Sequence, residues 1–174
     1  ILLLMHKLLL IILLIGSALA SAQQGFVGND GQWDEPFEYV HRFGANALFL
    51  TPDSLVFSIL SSDDFHPEHD QDKHHHYADT LHFVHFSVKF PGAGRLTWLG
   101  EAQMPHQNHF YLGKQSSWRS NVPSFEKLRA KNVYPGIDLL VYGAAGGVKY
   151  DWVVSAGADP SLITVAYGGV DAIE

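Results

Sequence analysis

The chain has 174 residues, no cysteine and a formal net charge of −7. That length supports one domain with a substantial apolar core, and the lack of cysteine excludes both a disulfide framework and a thiol nucleophile. The acidic balance argues against a general nucleic-acid binder, which needs a basic face.

Residues 1–22 read as a secretory signal. Met5 is the expected start, His6 and Lys7 form a weak charged region, Leu8 to Ile15 is the apolar core, and Ala20-Ser21-Ala22 is an A-x-A cleavage pattern. The apolar run after Lys7 is shorter than the ~20 residues needed to span a bilayer, so a cleaved leader is expected rather than an anchor. No lipobox cysteine follows it. Residues 23–174 then form one domain, expected to be cut from something longer because the last residues stop without a terminal cap.

Gln23 to Pro36 is polar and glycine-rich, with Trp33 as its anchor, and is expected to lie over the domain edge. Phe37 to Phe43 reads as a short strand. Ala47–Leu50 and Leu55–Leu60 flank Thr51-Pro52-Asp53-Ser54, so this is a hairpin. Ser61 to Thr80 holds five histidines, five aspartates and Glu68 with almost no apolar content. It reads as a long solvated loop. Its alternative is a metal site drawn from His66, His69, His74, His75 and His76, because imidazole suits zinc, copper or nickel. A tract of this kind usually binds metal weakly, since a structural site needs fixed geometry and supporting partners.

Leu81 to Phe90 is a strand with Val84, Phe86, Val88 and Phe90 on one face. His82 and His85 fall on opposite faces and so cannot chelate one ion; His85 is expected to be half-buried. Pro91–Gly94 is a turn, Arg95–Leu99 a short strand, Glu101–Gln107 a break and Asn108–Leu112 another strand. Gly113 to Asn121 is a polar loop carrying Trp118 and Arg119, and Val122–Lys131 reads as a strand.

Asn132 to Tyr142 is the clearest stretch. Pro135 fixes its own φ, Gly136 supplies the positive φ of a type II turn, and Ile137, Leu139 and Val141 share one strand face. After Gly143–Gly147, Val148, Tyr150, Trp152 and Val154 alternate with Lys149, Asp151 and Val153. Gly157-Ala158-Asp159-Pro160 is a further turn, with an Asx-turn expected at Asp159, before a last strand near Leu162 to Tyr167. Many short strands with turns every 8 to 12 residues predict an all-β fold, an antiparallel β-sandwich preceded by a signal-peptide helix.

Tyr134-Pro135-Gly136-Ile137-Asp138, Tyr150-Asp151-Trp152-Val153-Val154 and Gly157-Ala158-Asp159-Pro160 resemble one known family. It is the N-terminal domain of large secreted bacterial proteins that carry SBBP (beta-propeller) repeats, PKD-type modules or a gliding-motility-type C-terminal sorting domain. Asn29-Asp30-Gly31-Gln32-Trp33, Phe49-Leu50-Thr51, Leu55-Val56-Phe57, Tyr111-Leu112-Gly113, Trp118 and Val122-Pro123 extend the resemblance over nearly the whole mature chain. It implies a bacterial source, an outer-membrane or extracellular destination and further domains of the same polypeptide as partners. It implies no activity, since the family has none established.

The chain shows no G-x-S-x-G elbow, no H-E-x-x-H and no phosphate or dinucleotide loop at Gly113-Lys114 or Gly92-Ala93-Gly94. No cofactor is expected, and the membrane is met only through the leader during export. Three readings remain. The first is a non-catalytic structural or interaction module. The second is a carbohydrate-binding module that stacks sugars on Trp33 or Trp118, with extracellular polysaccharide or a surface protein as partner. The third, and weakest, is a glycoside hydrolase that pairs Asp138 with Asp151; strand and turn acids more commonly satisfy backbone N–H groups.

Overall fold

The computed structural model describes residues 25–61 and 81–170. Among the described residues ten strands follow one another: β1 (Phe26–Gly28), β2 (Tyr39–Phe43), β3 (Asn46–Leu50), β4 (Ser54–Leu60), β5 (Phe83–Lys89), β6 (Trp98–Phe110), β7 (Arg119–Tyr134), β8 (Ile137–Ala144), β9 (Gly147–Val154) and β10 (Ala166–Gly168). Two single 3-10 turns lie at Gln115–Ser117 and Pro160–Leu162. The all-β, antiparallel expectation holds.

The strands form one sheet in the order β10-β5-β4-β3-β2-β1-β7-β8-β9, with β6 on the remaining edge of β7. β7 organises it. One of its edges pairs with β6, from Trp98↔Ala130 to Phe110↔Arg119. Its other edge has two neighbours in succession: Ser124 and Phe125 pair with β1, and Lys127 to Tyr134 pair with β8. The sheet turns at that handover and curls into a half-barrel. The strand spacing predicts two packed sheets, yet the ladder is continuous through β1 and β7. Spacing along the chain does not report whether a long strand bridges two walls.

The core fills the curl. Leu48, Leu50, Leu55, Val88 and Phe90 come from one wall, and Leu128, Ala130, Ile137, Leu139 and Val141 from the other; all are buried. Each of these side chains larger than alanine contributes about 1.5–3 kcal/mol on burial. Trp152 of β9 meets Phe90 edge-on at 5.3 Å. Tyr150 of β9 hydrogen-bonds Tyr167 of β10, and burial, then that bond, raises the Tyr150 pKa. The two ends of the strand path therefore meet through side chains.

β8 follows its alternation: Ile137, Leu139 and Val141 are fully buried, and Asp138, Leu140 and Tyr142 are not. Tyr134 pairs with Ile137, which leaves Pro135-Gly136 as a two-residue turn with Gly136 at φ +72. β6 runs unbroken through Glu101–Gln107, where sequence predicts a break. It pairs only with β7 and is exposed along most of its length, so it carries no apolar face to betray it. Bulges mark it instead, with Ala102 at φ +54 and the register shifting between Gln103 and Gln107. β10 is shorter than the Leu162–Tyr167 expectation because Pro160–Leu162 is spent on a 3-10 turn capped by Asp159. His85 is exposed, not half-buried, because the Phe83–His85 end of β5 projects past the core. The leader at 1–22 and the five loop histidines His66, His69, His74, His75 and His76 lie outside the described residues.

Candidate binding surface

Asn29 builds the loop that carries Trp33. Its Nδ2 donates toward three carbonyls, those of Trp33, Glu35 and Phe37, at 3.1–3.2 Å, and its Oδ1 accepts the Gly31 and Trp33 N–H groups. Gln32 repeats the device on a smaller scale, accepting Asp30 N–H and donating to the Gly28 carbonyl. Gly31 sits at φ +93, and the Arg119 guanidinium lies where a Cβ would project. The Asn-x-Gly-Gln-Trp string is therefore a self-tied loop. It folds Trp33 against Phe37 (5.4 Å) and Phe110 (4.9 Å), while Phe37 reaches Phe49 (5.0 Å). The result is a cap over the sheet face opposite Leu48 and Leu50. Beside it a hollow of about 430 Å³ is bounded by Trp33, Phe37, Arg42, Phe49 and Val56.

Trp118 has a different setting. The end of β6 splits its aromatic side chains: Phe110 goes to Trp33, whereas His109 and Tyr111 stack on each other at 6.1 Å. Trp118 stands edge-on to Tyr111, centroids 5.7 Å apart and planes at 71°. The two tryptophans thus pack on successive residues of one segment and do not form a joint platform. Tyr111 is 56% and Trp118 42% exposed. The loop between them is held by Arg119, which donates to the carbonyls of Asp30, Ser116 and Trp118. Asn121, in the left-handed region at φ +62, donates its N–H to His109 Nδ1. That bond makes Nε2 the proton-bearing nitrogen of the neutral ring.

The two strand acids share a face of the β8–β9 hairpin, because Asp138 pairs with Val153 and Leu140 with Asp151. Each is engaged separately. Asp138 accepts the Asn132 N–H at 2.9 Å and lies 3.4 Å from Arg129, which also binds Glu101. Asp151 accepts the Tyr142 hydroxyl at 2.9 Å; that bond, chiefly, raises the tyrosine's pKa. Asp138 so stabilises the bulge at Asn132, where φ is +50. Asp159 accepts the Ser161 N–H, an Asx-turn, with Pro160 at the first position of the 3-10 turn. Gly157 takes φ +84 in the turn that brings Ala158 against Gly136. Tyr134, Pro135 and Gly136 close the β7–β8 hairpin, and the Tyr134 hydroxyl meets Pro91 and Thr164.

Ser124 Oγ lies 3.1 Å from His106 Nε2. Ser124 is fully buried, so its hydroxyl ties two strands and is not presented to a substrate. Among the described residues no group of three metal-ligating side chains converges, and no helix is long and apolar enough to cross a membrane.

A family model for a domain of unknown function, DUF7948, matches residues 26–174. The chain belongs to the DUF7948 family. No curated protein and no solved structure matches it. The match begins at β1 and includes every strand of the DUF7948 domain described above.

Sequence reasoning singles out Trp118 in this DUF7948 domain but misses Tyr111 and His109 as its neighbours. The signal was the alternation His109-Phe110-Tyr111, which puts the outer two rings on one side of an extended chain. It also misses Asn29 and Arg119, whose roles depend on carbonyls brought together only by the fold.

Proposed function

We propose that this chain is a non-catalytic module near the front of a larger exported bacterial protein, with a structural or interaction role at the cell surface. The observation that supports it best is how the polar residues of its motifs are used. Asn29, Tyr134, Asp138, Asp151 and Asp159 each bond the protein's own amides, carbonyls or neighbouring side chains. They hold loops and turns in place, as a scaffold requires. The leader-like residues 1–22 support export, and the resemblance to proteins with SBBP repeats, PKD-type modules or gliding-motility-type sorting domains supports a surface setting. The partners on this reading are further domains of the same polypeptide.

The test is fractionation of a Gram-negative host producing the tagged chain. Recovery outside the cytoplasm, shortened at Ala22, is expected; replacing Ile12 with Arg in the leader should abolish it. Full-length retention in the cytoplasm overturns export.

A second reading, carbohydrate binding, is favoured by the exposed Tyr111–Trp118 corner. On this reading Trp118 is the sugar platform, because both ring neighbours of Trp33 belong to the cap.

A further inference from the structure

We propose that the corner made by Tyr111 and Trp118, backed by His109, binds an acidic saccharide, a sugar whose ring carries a carboxylate. The inference rests on the second reading above and names its site and ligand class.

The geometry suits a single pyranose. Two rings at 71° with centroids 5.7 Å apart form an open corner. One ring face takes the C–H face of a sugar while the other borders its edge, and both rings are substantially exposed. His109 lies nearly parallel to Tyr111, centroids 6.1 Å apart, with Nε2–H as a hydrogen-bond donor.

The corner is also built in advance. Ser117 N–H bonds the Lys114 carbonyl and Trp118 N–H the Gln115 carbonyl, closing a 3-10 turn. Arg119 fastens that turn to the Asn29–Trp33 loop through the Asp30 carbonyl. A rigid exposed aromatic pair loses little conformational entropy when it binds.

Charge selects the ligand class. The chain has 18 acidic residues, yet none between Ala102 and Phe125, a segment that contains Lys114, Arg119, His106 and His109. Lys114 opens the 3-10 turn beside the corner. Along the chain this segment carries cations without acids, and Asp30 of the adjoining loop meets Arg119 through its carbonyl. A lipid surface fits less well. Leu112, 83% exposed, is the only aliphatic side chain of the loop, and Gln115, Ser116, Ser117 and Asn121 would be desolvated.

The experiment is calorimetric titration of the chain with trigalacturonate, and with cellotriose as the neutral control, at low and high salt. Trigalacturonate should bind more tightly than cellotriose. Trp118→Ala and Tyr111→Ala should each weaken it about ten-fold or more. Lys114→Gln should weaken it and flatten its salt dependence. Trp33→Phe should leave it unchanged. Unfolding midpoints of the loop variants, expected to match the parent, separate lost binding from lost fold. Absence of heat with both saccharides, equal binding by Trp118→Ala, or equal affinity for cellotriose overturns the proposal. So does sedimentation with phosphatidylglycerol vesicles that Leu112→Ser abolishes, which would assign the loop to lipid. None of these outcomes bears on export, which the fractionation reads separately.

Discussion

The hydroxyl of Tyr134 accepts the backbone N–H of Thr164 at 3.2 Å and faces the Thr164 carbonyl at 2.9 Å and the Pro91 carbonyl at 3.0 Å. One buried side chain at the end of β7 therefore fastens the turn after β5 and the segment before β10. Tyr134→Phe keeps the ring and removes the hydroxyl, leaving the Thr164 N–H without this acceptor. A loss of about 0.5–1.5 kcal/mol follows from removing this part-buried bond. Urea unfolding should show a lower midpoint with an unchanged slope. Tyr142→Phe, which removes an exposed bond to Asp151, should leave the midpoint in place. Equal effects of the two changes would show that the Tyr134 contacts hold nothing together.

Asn29 offers a sharper chemical test. Its Nδ2 lies among three carbonyl oxygens while its Oδ1 accepts two N–H groups. Asn29→Asp preserves shape and replaces the donor with a carboxylate oxygen facing those carbonyls. It should destabilise the protein at neutral pH at least as much as Asn29→Ala, which costs about 1–3 kcal/mol. Protonation restores a donor, so the Asp variant should recover relative to Ala as pH falls through its raised pKa. Thermal melts of both variants across the acid range check this ordering.

The strands of this fold were legible where burial is one-sided. β8 alternates cleanly because its inner residues meet a packed wall, and the Pro135-Gly136 turn follows from the φ values those residues supply. β6 was illegible in part because it is exposed along most of its length and bulged, so no periodicity is imposed on it. β7 was ambiguous for another reason. Over Val122–Lys131 the inward phase holds Val122, Leu128 and Ala130 but also the polar Ser124 and the exposed Glu126, so apolar residues do not mark one face. The binding surface divides the same way. Trp118 stands out by residue type, but Tyr111 becomes its partner only when β6 and β7 pair through Phe110↔Arg119.

Gly136 and Gly146 separate two costs that sequence alone merges. Both have positive φ, +72 and +77. A Cβ at Gly146 meets open space, whereas one at Gly136 lies 3.0 Å from the Ala158 Cβ. Gly146→Ala should cost only the left-handed backbone term, about 1–2 kcal/mol. Gly136→Ala should cost more, and adding Ala158→Gly should recover part of the excess. Denaturant midpoints of the three variants measure it; equal losses at both glycines would show that the Ala158 turn moves freely.

Asp53 connects the β3–β4 turn to pH. Thr51 Oγ1 and Ser54 Oγ lie 2.7 and 2.8 Å from its Oδ1, and these bonds, the Thr51 bond first, hold its pKa below the usual 3.8. Asp159 is lowered too, by the Ser161 hydroxyl and then its N–H. A depressed carboxyl binds its proton less readily in the folded chain than in the unfolded one. Its stabilisation is therefore present above the unfolded value and is lost as pH falls through the folded one. Asp53→Asn removes one such group. The parent should lose stability as pH falls below about 5 toward and through the lowered folded value, and the variant should lose less over the same window. Both residues are exposed, so the difference should shrink in high salt only as far as charge contributes, while the hydroxyl bonds persist. Urea titrations at a series of acid pH values check the slope. An acid limb no shallower in Asp53→Asn would mean that the carboxyl titrates alike in both states and that the turn is held by the Thr51 and Ser54 backbone alone.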